Sequence, residues 1–96
     1  MKYVTNNTNE FGNSMVMETF KDDNSQYGFY WKGDNGKWAI SDSGTKCEVI
    51  RRLQSLIRIC KDSIRICKAK GYKILEISEA KEIEIYRELI GVLESI

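Results

Sequence analysis

Residues 46–70 constrain this chain more than any other stretch. Thr45 and Glu48 have the T-x-x-E spacing of a capping box immediately before an apolar-periodic run. Gly71 supplies the matching stop, with Lys68 and Lys70 placed to meet the negative end of the helix dipole. A helix over 46–70 is predicted, about 37 Å long at 1.5 Å per residue. A compact chain of 96 residues has a radius of gyration near 12.5 Å, hence a diameter of about 32 Å. The helix is therefore as long as its own domain, and its apolar surface needs more cover than a small globule provides.

That surface has a regular pattern. Ile-Arg-Ile-Cys at 57–60 recurs at 64–67, each time followed by lysine. Ile50, Leu53, Ile57, Cys60, Ile64 and Cys67 alternate at three- and four-residue spacings, the a/d pattern of a coiled-coil seam. Val49, Leu56 and Ser63 widen the stripe, while Ile59 and Ile66 fall outside it. The partner for this seam is either the C-terminal segment of the same chain or a second copy. The expectation is a homo-oligomer, dimeric or larger, with those six residues as its interface.

Arg51, Arg58 and Arg65 repeat every seven residues, as do Lys61 and Lys68. Together they form a basic sector of about 100° beside the stripe. Charge along the chain follows an acid–base–acid order: residues 1–44 carry −2, residues 45–71 carry +6 and residues 72–96 carry −3. The net charge of +1 hides this segregation. Such a ridge suits an anionic ligand, or pairing with the glutamates of the C-terminal segment, where Glu82, Glu84, Glu88 and Glu94 would lie if the two helices pack antiparallel.

Before the helix the pattern is that of strands. Lys2–Val4 is a short strand, residues 5–14 a polar loop, and Met15–Lys21 a clear strand ended by Asp22–Ser25. Gln26–Lys32 is aromatic-rich and leads through Gly33-Asp34-Asn35-Gly36 to a further strand at Lys37–Asp42. Alternation across that hairpin puts Tyr27, Phe29, Trp31, Trp38 and Ile40 on one face, with Tyr30, Ala39, Met15 and Met17 on the other. After Gly71, Tyr72–Ile77 reads as a strand or extended connector. Ser78 then caps a shorter helix over 79–96, whose apolar face is Tyr86, Leu89, Ile90, Leu93 and Ile96. The expected fold is α+β in a single domain spanning 1–96. It is a small antiparallel meander of three or four strands, packed by the long helix and the shorter C-terminal one.

Chemistry is sparse. The chain has no histidine, which removes the usual general base and most zinc sites. Cys47, Cys60 and Cys67 are an odd set with no secretory signal before them, so a reduced, cytoplasmic protein is expected. No apolar run is long enough to span a membrane. Phosphate loops, nucleophile elbows and carboxylates set across a cleft are absent, so no enzyme, cofactor or metal is expected. The expected function is a small non-enzymatic inhibitor or binding protein. It would act on a host protein, a protein–nucleic-acid complex or a small anionic nucleotide. A small chain without catalytic residues, rich in Ile, Lys and Asn, fits the profile of phage-encoded proteins that block bacterial defence systems. The partner-binding residues would be Arg51, Arg58, Lys61, Arg65, Lys68, Tyr30, Trp31 and Trp38. The alternatives are a nucleic-acid binder using the ridge and the aromatic strands, and a structural assembly subunit.

Overall fold

The computed structural model describes residues 1–20, 22, 24–33 and 43–96. It is an α+β fold with strands β1 (Lys2–Val4), β2 (Met15–Thr19), β3 (Gln26–Trp31) and β4 (Ser43–Thr45), followed by helices α1 (Lys46–Lys70) and α2 (Lys73–Glu94). The strands form one antiparallel sheet in sequence order. The expected strand at Lys37–Asp42, with Trp38, Ala39 and Ile40, lies outside the described residues.

Register decides which residues meet the helices. Met17 stands opposite Phe29 and Met15 opposite Trp31, while Tyr3 lies across from Met17 on the other side. Opposed residues share a face, so Tyr3, Met15, Met17, Tyr27, Phe29 and Trp31 all point to the helical layer. This corrects the sequence reading, which set Met15 and Met17 apart from Phe29. Alternation fixes the faces within a strand, but only the β2–β3 turn fixes how the two strands slide past each other. Val16 and Tyr30 pair on the reverse face, and both are buried.

Helix α1 has the predicted bounds. The Thr45 hydroxyl accepts from the Glu48 backbone N–H, and the Glu48 carboxylate accepts from the Thr45 backbone N–H. At the far end Gly71 adopts φ 74°, a left-handed conformation that costs glycine little. The Tyr72 N–H then bonds back to the Cys67 carbonyl at 2.9 Å.

Helix α2 starts six residues earlier than expected. Tyr72–Ile77 is not extended: Lys73 already lies in the helix, which begins with no side-chain cap. Ser78 does not cap it; its hydroxyl instead donates to Glu10 in the β1–β2 loop at 2.9 Å. The helix also ends at Glu94, so Ile96 is exposed and lies off the apolar face.

The two helices form an antiparallel hairpin around Gly71–Tyr72. Val49, Leu53, Ile57 and Cys60 of α1 meet Ile83, Ile85, Tyr86, Leu89 and Leu93 of α2, with Met15, Met17 and Phe29 beneath. This core ends at Cys60 and Ile83. Beyond it the hairpin continues with Cys67 as its remaining buried apolar residue. The molecule measures 47 × 24 × 23 Å, so the far half of the hairpin projects from the body. Among the described residues no helix is long and apolar enough to cross a membrane.

Candidate functional site

The residues expected at an oligomer interface are largely used within the chain. Leu53, Ile57, Cys60 and Cys67 are buried in the single subunit, and Ile50 and Ile64 are half-buried. The seam is real, but α2 fills it. Exposed apolar surface lies elsewhere, on the projecting half of the hairpin. There Ile59, Ile66, Tyr72, Leu75 and Ile77 are each more than half exposed, and Ile74 is 77% exposed. Gly71, Tyr72, Lys73, Ile74 and Leu75 line a shallow depression of about 400 Å³ at the turn. A sheet or a third helix would ordinarily cover such a face. Among the described residues the β1–β2 loop reaches it at Ser78, through Glu10. This patch is not legible in the sequence, because Ile-Leu-Glu-Ile at 74–77 reads as a strand in isolation.

The basic ridge forms as predicted on the outer face of α1, with Arg51, Arg58, Lys61, Arg65 and Lys68 all exposed. The pairing with α2 glutamates does not form as expected. Among the described residues the ridge makes one ion pair to α2, Lys68–Glu76 at 3.8 Å. Arg65 pairs with Asp62 in its own helix, and Arg58 donates to the Ser55 hydroxyl. Glu84 pairs with Arg87, while Glu82 and Glu88 face other partners.

Tyr30 and Trp31 are not set beside the ridge. Tyr30 is buried, its hydroxyl donating to Glu18 at 3.1 Å, and Trp31 is half-buried against the core. Burial and the Glu18 carboxylate both raise the Tyr30 pKa. Trp38 lies outside the described residues.

Two glutamates that sequence analysis placed at the ridge have more specific surroundings. Glu88 accepts from the Tyr3 hydroxyl, from the Asn6 and Asn7 backbone N–H groups, and from the Asn7 side-chain amide. Burial alone would raise its pKa, but these donors outweigh it and hold the carboxyl below its ordinary value. Glu82 lies against the thiol of Cys60, with Sγ and Oε2 3.8 Å apart, and Glu79 joins them so that one donor atom of each lies within 4.8 Å of the others. Burial, then Glu79 and Glu82, push the Cys60 thiol well above the usual thiol range. Burial, Glu79 and Glu10 likewise raise Glu82. No signal in the sequence connects position 60 to 79 and 82 until the helices are known to fold back on each other.

No family model, curated protein or solved structure matches this chain.

Proposed function

We propose that the chain is a non-enzymatic binding protein that acts as a homo-oligomer, with the projecting end of the hairpin as its self-association surface. The observation that carries this reading is the exposure of Ile66, Tyr72, Ile74, Leu75 and Ile77 around an uncapped helix start. Large contiguous apolar patches on an isolated subunit mark interaction sites. The occupant is a second copy. Two hairpins laid side by side make a four-helix bundle, giving each the missing layer. Charge favours the same pairing, because residues 45–71 carry +6 and residues 72–96 carry −3. Copies related by a two-fold axis along the bundle set the basic helix of one along the acidic helix of the other. The composition directs the search for a target toward components of bacterial defence systems, which the assembly would block or sequester.

The test is sedimentation equilibrium on the wild type and on Ile74→Glu/Ile77→Glu. Both residues are exposed, so the variant should keep its helical circular dichroism. The expected result is a wild-type oligomer and a monomeric variant. A wild type that stays monomeric to roughly 1 mM, where an association of about −4 kcal/mol would register, overturns the reading. Titration with single-stranded and duplex oligonucleotides separates the nucleic-acid alternative. Phosphate-driven binding through the ridge would fall steeply between low and moderate salt.

A further inference from the structure

Halfway along the hairpin, where the sheet-covered core ends, three donor groups converge from two helices. Cys60 comes from α1, and Glu79 and Glu82 from α2. Cys60 is 4% exposed, and its thiol lies against the two carboxylates, which are half-buried. Among the described residues its hydrogen-bonding contacts are to that pair, and the 3.8 Å approach to Glu82 is long for a thiol donor. All three groups are acids, and among the described residues no salt bridge joins Glu79 or Glu82 to a cation. Glu10, which accepts from Ser78 at 2.9 Å, adds a further negative charge close by. A buried anionic group without a counter-charge is costly unless it is neutralised or binds a metal.

We propose that Cys60, Glu79 and Glu82 form a site for a zinc-class divalent cation, with three protein ligands and one open position. One sulfur and two oxygens suit a borderline-soft ion. Magnesium and calcium demand six or more oxygens. The dimensions agree with this choice. With Zn–S near 2.3 Å and Zn–O near 2.0 Å, a tetrahedral ion holds sulfur and oxygen about 3.5 Å apart. The present Sγ–Oε2 separation to Glu82, 3.8 Å, is close to that value. Binding replaces the thiol proton: the S–H bond breaks, the proton leaves to solvent, and a thiolate–metal bond forms with no change of oxidation state. The bound ion would join α1 to α2 where the hairpin leaves the body.

Cobalt(II), whose thiolate complexes absorb in the near ultraviolet, is the probe, titrated into reduced protein and then competed with zinc(II). The expected result is one ion per chain, a sulfur-to-cobalt band, release of about one proton, and loss of the band on adding zinc. Cys60→Ser should abolish the band, while Cys47→Ser and Cys67→Ser keep it. Glu79→Gln and Glu82→Gln should each weaken binding more than about tenfold. Ile74→Glu/Ile77→Glu should bind cobalt as the wild type does, which separates this site from self-association. Absence of the band, its persistence in Cys60→Ser, or its loss in Cys47→Ser overturns the proposal. Should Cys60→Ser fail to fold, the double variant Glu79→Gln/Glu82→Gln decides, and wild-type affinity in it overturns the site.

Discussion

Glu88 of α2 accepts the hydroxyl proton of Tyr3 in β1, joining residues 85 positions apart in sequence. The same carboxylate holds the backbone of Asn6 and Asn7 where the chain leaves β1. One side chain thus fastens the outer strand and its loop to the C-terminal helix. Glu88→Ala strips the acceptor from all of these donors and should lower stability by about 2–3 kcal/mol, read from urea unfolding at neutral pH.

Acid should weaken the same contact. The folded carboxyl has a lowered pKa, whereas the unfolded one titrates near its ordinary value of about 4.3. The folded state therefore binds the proton less readily. The contribution is fully present above the unfolded value and disappears as pH falls through the folded one. Unfolding midpoints measured below about pH 4 should drop more steeply for the wild type than for Glu88→Gln.

Glu82 has the opposite sign. Its folded pKa is raised by burial, by Glu79 and by Glu10, so its ionisation opposes folding as pH rises through that range. Glu82→Gln, in metal-free protein, should raise Tm at pH 7 and lose this advantage below the ordinary carboxylate range. A variant less stable than wild type at pH 7 would show that the carboxylate is compensated.

Both ends of α1 can be tested by single substitutions. Thr45→Ala removes the cap and should cost about 1 kcal/mol. A Cβ at Gly71 meets nothing within 4 Å, so Gly71→Ala has only the left-handed backbone to work against, a loss of about 1–2 kcal/mol. Thermal unfolding followed by circular dichroism measures both.

The two apolar sides of α1 should respond differently. Ile57 is buried in the core, so Ile57→Ala should cost about 2–5 kcal/mol. Ile66 is exposed, so Ile66→Ala should change subunit stability by no more than about 0.5 kcal/mol. Charge reversal at Arg58 and Arg65 should be equally mild, since their contacts lie on the exposed surface of their own helix.

How far the sequence could be read depended on whether the deciding interaction was local. Thr45, Glu48 and Gly71 fix the ends of α1 from within a few residues, and those bounds were legible. The start of α2 was not. Ile74, Leu75 and Ile77 look like a strand, Ser78 and Glu79 look like a cap and first turn, and the helix packed on α1 from Ile83 onward propagates back through both. The pairing of Met17 with Phe29 turns on the geometry of a loop. The surroundings of Cys60 and Glu88 depend on residues 19 or more positions away, brought close only by the hairpin and the sheet. The seam was legible as a pattern, yet a repeat of apolar positions does not say whose helix will lie against it.

Thr45 ends β4 and caps α1 at once, and the Cβ of Glu48 comes within 3.1 Å of where a side chain at Gly44 would begin. Sheet and hairpin therefore meet without slack. The outer half of the hairpin behaves as a lever whose fulcrum is welded to the sheet edge. A load applied at Ile74 would be felt as torque on the β3–β4 ladder rather than absorbed by a hinge.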